Sequence, residues 1–485
     1  MSNRHHSTPV FHRIRSRWQG EGGYREVLNI ALPLILSTSA WSIQHFVDRM
    51  FLSWFSPEAI AASMPAGLLN YTFMCLFMGT AGYVSTFIAQ YYGAGRDEMI
   101  GKVLFQAFYI TLVGGVFMLL IIPIAPHLFR LAGHRGLVLS YEVTYFQILC
   151  AGSFPPLAAA ALSGFYNGLG RTRPVMWVTI GATLVNIGLD YLLIFGKCGL
   201  PRWGVKGAAL ATVASGIFSF ICYAIMVLLP QNVRRFKTRS RWQFQPALCR
   251  RLIHYGLPTG IQYFLDIAGF TTFLLLVGRL GTNALAATNI TFNINNLAFM
   301  PMIGFGIAVS ILTGQNLGRE RVDLAERATY SALHLTSFYM GIMITLYLLL
   351  PEIFIKPFIV QTTGTEYRSI SQMVIILLRF VAFYSIFDIF NLIFSGALKG
   401  AGDTRFVMVV LSFLSMTVLI FPSYLALVVF QKNLFYAWGS ATIYISALGL
   451  VFYLRFLQGK WKAMRVIEPT APILPTNFPA IPTPD

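Results

Sequence analysis

Apolar residues fill long unbroken stretches of this chain, and polar residues collect in short breaks between them. The stretches exceed the roughly 20 residues that a helix needs to cross a bilayer and do not alternate, which predicts helical spans rather than barrel strands. Twelve spans result, near residues 27–54, 60–91, 100–129, 137–167, 174–195, 206–229, 249–279, 284–315, 324–350, 368–398, 406–430 and 434–458. Several are longer than a span requires, which predicts tilt or projection beyond the lipid.

Composition agrees. Of 485 residues, 56% are hydrophobic and only 11% charged, against about 25% charged in soluble domains. The 36 Lys and Arg outnumber the 18 Asp and Glu. A surplus of this size could suggest nucleic acid, but its distribution points to loops beside a membrane. With both termini in the cytoplasm, inner segments hold 25 Lys and Arg and outer loops hold 9, as the positive-inside rule requires. The N-terminal segment is basic and polar, without the apolar centre of a signal peptide, so the first apolar run is expected to stay in the protein. Cys75, Cys150, Cys198, Cys222 and Cys249 form no CxxC pattern, and neither a metal cluster nor a disulfide framework is expected.

The pattern repeats. SGFYNGLGRTRPVM at 163–176 returns as SGALKGAGDTRFVM at 395–408, a shift of 232. At a shift of 225, Leu32-Pro33 answers Leu257-Pro258, Gly79 answers Gly304, and Gln90, Gly93 and Arg96 answer Gln315, Gly318 and Arg321. Each repeat holds six spans, so both insert the same way round. That implies a pseudo-twofold axis along the membrane normal and a cleft between two bundles, where secondary transporters bind their cargo. The expected domains are a basic cytoplasmic N-terminus (1–23), an N-lobe (24–230), a basic cytoplasmic linker (231–248), a C-lobe (249–458) and a Pro-rich cytoplasmic tail (459–485) that reads as disordered after Lys462. GALKGAGDT places Lys399 before its glycine, the wrong order for a phosphate-binding loop. Transport would therefore draw on an ion gradient.

Polar residues inside the spans carry the chemistry. Carboxylates there are costly and normally face a cavity or a partner. Asp48 has Gln44 one turn away, and Asp190 has Asn186 one turn away. Asp266 follows Pro258 in GLPTGIQYFLD with Gln262 at i−4, and Asp388 has Tyr384 at i−4. The Asn186–Asp190 pair leaves its charge unbalanced, so a third group, a bound cation or a proton is expected. Asp, Asn and Thr oxygens suit a hard cation. The charged Arg49 is expected to point away from Asp48, and Arg379 is the basic residue nearest in sequence to Asp388. Pro33 and Pro258 sit at equivalent points of spans one and seven, as fixed kinks or as hinges. The SGxxxGxGxTR elements read as packing structure.

These residues resemble the multidrug and toxic compound extrusion family, NorM-like bacterial members above all, over residues 24–458. The likeness rests on the FVD of span one, the Asn186–Asp190 spacing, GAALAT at 207–212, LGR after Gln315, and SGALKGAGDTR. The resemblance implies an all-α protein of twelve transmembrane helices in two six-helix lobes around a central cleft. It implies a non-enzymatic antiporter of the bacterial inner membrane, a monomer that exports small organic cations or drugs in exchange for Na⁺ or H⁺. No other cofactor and no nucleic acid are implied. Residue by residue, the N-lobe cation site falls on Asp48, Asn186, Asp190 and Thr212, with Na⁺ or a proton at the first three, and the kinking proline on Pro33. The C-lobe acid eight after Pro258 falls on Asp266, and its partners on Asp388 and Tyr384. Gln44 and Gln262 are cavity candidates. Arg49 departs from the small polar residue usual after the first acid. The N-lobe set is expected to couple the ion, the C-lobe pair to be better buried and to modulate substrate or hold a second ion. A lipid-linked saccharide flippase of related architecture is the alternative, and would need a basic cleft. An intramembrane aspartyl hydrolase would need Asp266 and Asp388 in contact.

Overall fold

A computed structural model describes residues 17–131, 135–239, 242–358 and 365–469. Eleven helices are long and apolar enough to cross a membrane, and a bent pair makes a twelfth crossing. In chain order these are α1 (Tyr24–Phe55), α2 (Pro57–Gly93), α3 (Asp97–Leu131), α4 (Gly136–Ala151 with Phe154–Gly168), α5 (Thr172–Phe195) and α6 (Val205–Val227). The second half holds α7 (Pro246–Gly278), α8 (Thr282–Gly318), α9 (Val322–Leu349), α10 (Thr365–Ala401), α11 (Thr404–Val429) and α12 (Leu434–Leu457). Their ends fall within three residues of the spans read from the sequence. The fourth span is not one rod as its apolar run suggests. It bends by 47° at Gly152-Ser153, where Pro155 and Pro156 open the second piece and cannot donate to the preceding turn.

The helices form two lobes. In the first, α5 packs between α1 and α6, while α2 packs on α4; in the second, α10 packs between α8 and α12. The lobes meet through α1 on α8 and α2 on α7, a reciprocal exchange that gives the pseudo-twofold axis expected from the repeat. Side chains repeat the exchange. Gln90 Nε2 donates to Gly400 O at 3.0 Å, and Gln315 Nε2 donates to Gly168 O at 2.8 Å. A Cβ on Gly93 would collide with the Gln315 carbonyl, and one on Gly318 with the Gln90 carbonyl. Only glycine allows backbones to approach so closely. The SG repeats, read as packing structure, thus supply the carbonyls that join the lobes.

These contacts lie on the face that carries both chain ends. Among the described residues, every hydrogen bond joining the lobes lies between that face and the level where Thr38 Oγ1 donates to Met300 O. Beyond it no hydrogen bond joins the lobes among the described residues, and Asp266 and Tyr263 on α7 stand exposed.

The chain after α12 departs from expectation. Lys460–Ala463 forms a short 3₁₀ turn with Trp461 fully buried. Disorder was expected after Lys462, yet Val466 is also fully buried. Apolar residues ahead of the prolines find a groove on the bundle, a signal that composition masks. The prolines after Pro469 lie outside the described residues, as does 1–16 of the basic N-terminus.

Candidate functional site

The N-lobe core is interrupted. One apolar cluster lies toward the terminus-bearing face and includes Val175 and Val178 of α5; another includes Phe51 and Leu52 of α1 and Ile194 of α5. Between them α1 and α5 place a polar layer. Asn186 and Asp190 stack one turn apart on α5, both fully buried, and Asp48 of α1 faces them at 6% exposure. The amide of Asn186 satisfies both its polar atoms when its nitrogen faces the acids. It then donates to Asp48 Oδ1 at 2.8 Å and to Asp190 Oδ2 at 3.3 Å. The two carboxyls also lie within hydrogen-bonding reach of each other. Asp190 Oδ1 is buried with no hydrogen-bond partner.

That arrangement has a direct chemical consequence. Two carboxylates in contact and cut off from water cannot both stay ionised unless a positive charge joins them. The unpartnered oxygen is where that charge would be received. Carboxylate and amide oxygens fit a proton or a hard cation equally well. No group of three His, Cys, Asp or Glu able to hold a metal occurs among the described residues, so the donor set does not suit a transition metal.

Gln44 extends the layer toward the bundle centre: it is buried, and its Oε1 accepts from Thr183 Oγ1 at 3.5 Å. Thr212 of α6 stands further off. Its hydroxyl donates to Ala208 O at 3.1 Å and reaches the acids through Tyr145, which bonds to Thr212 and lies within electrostatic range of Asp48 and Asp190. Tyr145, on α4, was not singled out from the sequence, because only packing brings it here. Arg49 is exposed, as its position about 100° round the helix from Asp48 requires. Pro33 and Pro258 both lie inside continuous helices.

The C-lobe acids are arranged differently. Asp388 is 5% exposed and accepts from Asn391 Nδ2 at 2.9 Å. Tyr384, one turn away, is 2% exposed. Asp266 is bonded to Gln262 and stands exposed on the cleft side of α7. The expectation that this pair is better buried than the N-lobe set is therefore wrong. A mid-helix position in sequence says nothing about whether the facing space is filled. Asp266 and Asp388 share no hydrogen bond among those described, so the contact that an aspartyl dyad requires is missing there. The basic neighbour of Asp266 is Lys399, whose Nζ lies 5.9 Å from the Tyr263 ring centre. Arg379, which by its place in span ten could have neutralised one of these acids, is exposed. Lys399 was read as part of a packing motif; its long side chain reaches up from it. Tyr444 of α12 approaches both Asp266 and Asp388. Asn391 stands at i+3 from Asp388 in FDIFN, so its place on the same helix face is a signal the sequence carries.

Comparison with known proteins agrees with this geometry. The MatE family model matches residues 33–192 and 258–425, one stretch in each lobe, beginning at the paired prolines Pro33 and Pro258. The "Probable multidrug resistance protein NorM" of Thermotoga maritima is 28% identical over 457 residues, covering 91% of this chain and 94% of that protein. The "Multidrug resistance protein PmpM" of Pseudomonas aeruginosa is 29% identical over 392 residues, covering 80% and 81%. An outward-facing multidrug resistance MATE family transporter of the MOP superfamily matches with a TM-score of 0.82 at 20% identity, over 92% of this chain and 98% of that one. A MOP superfamily transporter from Pyrococcus furiosus gives the same TM-score, 0.82, and the same 20% identity, a likeness of fold alone. With more than half of its length matched, in two copies that coincide with its two lobes, the chain belongs to the MatE family of multidrug and toxic compound extrusion transporters.

Proposed function

We propose that this protein exports small, mostly cationic organic compounds across a bacterial inner membrane, in exchange for H⁺ or Na⁺, by alternating access. The observation that carries the reading is the sealed contact of Asp48, Asn186 and Asp190 with its unpartnered Asp190 Oδ1. Such a site takes up and gives up one positive charge. The names of the relatives from Thermotoga maritima and Pseudomonas aeruginosa support drug export.

In this reading the N-lobe acids couple the ion. Loading them neutralises the polar layer between α1 and α5, and unloading restores a charge there, so ion occupancy biases the position of α1 about Pro33. Thr212 and Tyr145 hold the acids in place. Asp266 and Tyr263 on the open side of α7, with the buried Gln262 beside Asp266, offer a carboxylate and an aromatic face to a lipophilic cation. Asp388 and Tyr384 shape the wall behind it. Lobes that meet only toward the terminus-bearing face correspond to an outward-open state if both termini are cytoplasmic, which the excess of Lys and Arg on that side supports. The protein would work as a monomer, each chain holding both lobes. For the flippase alternative, the one basic group found against a cleft acid is Lys399, already neighboured by Asp266, which is poor complementarity for a phosphate.

The test is efflux of a fluorescent organic cation from proteoliposomes under an imposed Na⁺ gradient and, separately, an imposed pH gradient. Uptake driven by one gradient and lost in Asp190→Asn is the expected result. Equal transport under neither or both gradients, or full activity in Asp190→Asn, overturns the reading.

A further inference from the structure

Past α12 the chain turns back along the terminus-bearing face. Trp461 donates its indole N–H to Phe456 O at 2.9 Å, and Lys462 pairs with Glu326 of α9 at 2.7 Å, which fix the turn to the C-lobe. The next residues leave that lobe. The backbone N–H of Val466 donates to Gln90 Oε1 on α2 at 2.8 Å. Val466 Cγ1 lies 2.9 Å from where a Cβ on Gly402 would stand, so it fills the space that glycine leaves. Val466 and Ile467 join an apolar cluster with Phe87 and Tyr91 of α2 and Leu252 of α7.

Glu468 closes the strap. Its Oε2 accepts from the Tyr91 hydroxyl at 2.9 Å and from Arg96 Nη2 at 3.3 Å, and its carbonyl accepts from Arg96 Nη1 at 3.0 Å. Its Oε1 pairs with Arg251 Nη1 at 2.7 Å. Arg96 belongs to the N-lobe and Arg251 to α7 of the C-lobe. One carboxylate therefore bridges both lobes beside the Gln90–Gly400 bond.

The Gln90 and Gln315 bonds that close this face form a twofold-related pair. The segment after α6 repeats only the first part: Arg235 pairs with Asp97 at 2.7 Å, as Lys462 does with Glu326. It then runs on as the chain's own link from the N-lobe into α7 of the C-lobe. The strap adds a non-covalent tie between the lobes beside that link. The side chains of Glu468, Arg96 and Arg251 are 39%, 29% and 28% exposed, so each ion pair is weak and salt-sensitive. That suits a contact broken and remade, not a permanent staple.

We infer that the strap Met464–Glu468 belongs to the transport machinery, with Glu468 a positioning residue that holds the lobes together on the terminus-bearing face and must release Arg96 or Arg251 before that face opens. The contact itself stands on geometry; only its consequence for transport rests on the alternating-access reading. Partial burial alone would raise the Glu468 carboxyl, but its backbone bond, the Tyr91 hydroxyl and the two arginines outweigh it and hold it below the usual carboxylate range. The stabilisation is thus complete at neutral pH and is lost only as pH falls through that lowered value.

Hydrogen exchange on the full-length protein tests the inference without requiring transport. In Glu468→Gln, exchange should rise about fivefold, as for loss of ~1 kcal/mol, at Gln90–Arg96 and also at Gln315–Arg321. The latter segment is in the other lobe and shares no hydrogen bond with Glu468 among the described residues, although Arg465 of the strap lies within electrostatic range of Glu320. Arg251→Gln should do the same, and high salt should raise exchange in the wild type but not in either variant. Faster exchange confined to residues 464–469, or no change in either variant, overturns the inference and leaves an ordinary docked tail. If exchange responds while no ion gradient drives efflux, the proposed function fails and the strap stands.

Discussion

The two lobes share one helical plan and treat their acids in opposite ways. In the N-lobe, Asp48, Asn186 and Asp190 face one another inside a sealed layer, with exposures of 6%, 0% and 0%. In the C-lobe, Asp388 is sealed with Asn391 for a partner, while Asp266 stands apart in the open, with Gln262 and Lys399 beside it. A closed pair of acids accepts only a small positive charge, because nothing larger fits without prising helices apart. An open acid beside aromatic rings accepts a large one. The residue type is the same; what surrounds it selects the cargo. On the proposed function the difference would put ion coupling in one lobe and substrate contact in the other, and it can be broken residue by residue.

The largest effect is expected from Asp190→Asn. It removes the charge that the coupling ion must balance, and efflux should fall about 100-fold, the upper end of an ordinary coupling energy of about 1–3 kcal/mol. Dye extrusion from vesicles reads this, with expression and monodispersity unchanged. Asp266→Asn should act on the other arm of the comparison. It should raise KM for a monovalent organic cation about tenfold through loss of a charge-assisted contact, with the maximal rate and the ion dependence kept. If Asp266→Asn abolishes ion dependence while Asp190→Asn changes only KM, the lobes have been assigned the wrong way round.

Lys399→Gln sharpens the contrast within the C-lobe. Removing the resident cation beside Asp266 should lower KM for cations about threefold, since a partly screened pair is worth up to ~1 kcal/mol. The gain should shrink at high salt, and competition binding with a neutral analogue should show none of it. Tyr145→Phe is expected to be the mildest. It removes one hydroxyl bond to Thr212 and should slow efflux about twofold to threefold, near the low end of a hydrogen bond's net worth. An initial-rate assay under a fixed gradient is sensitive enough.

Much of this was legible in the chain. The Asn186–Asp190 stack follows from helical spacing alone, and its need for another charge follows from the cost of burial. The reciprocal Gln90 and Gln315 bonds were prefigured by the repeat that aligns those two residues. Other parts were not readable. Tyr145 and Tyr444 carry no local signal, because they reach the acids across helices that are far apart in sequence. Lys399 was hidden inside a glycine motif whose packing role is genuine. The strap was lost against the prolines that follow it.

The number of crossings, the twofold plan and the four intramembrane acids can be read along the chain, since each depends on local hydrophobicity or on spacing along one helix. The tertiary structure decided which acids meet, which stand open, and where the lobes touch. Those depend on how surfaces from distant segments fill or leave space, and burial of a carboxylate is a property of all its neighbours at once. Asp190 and Asp266 look alike in the chain; packing seals one between helices and leaves the other exposed.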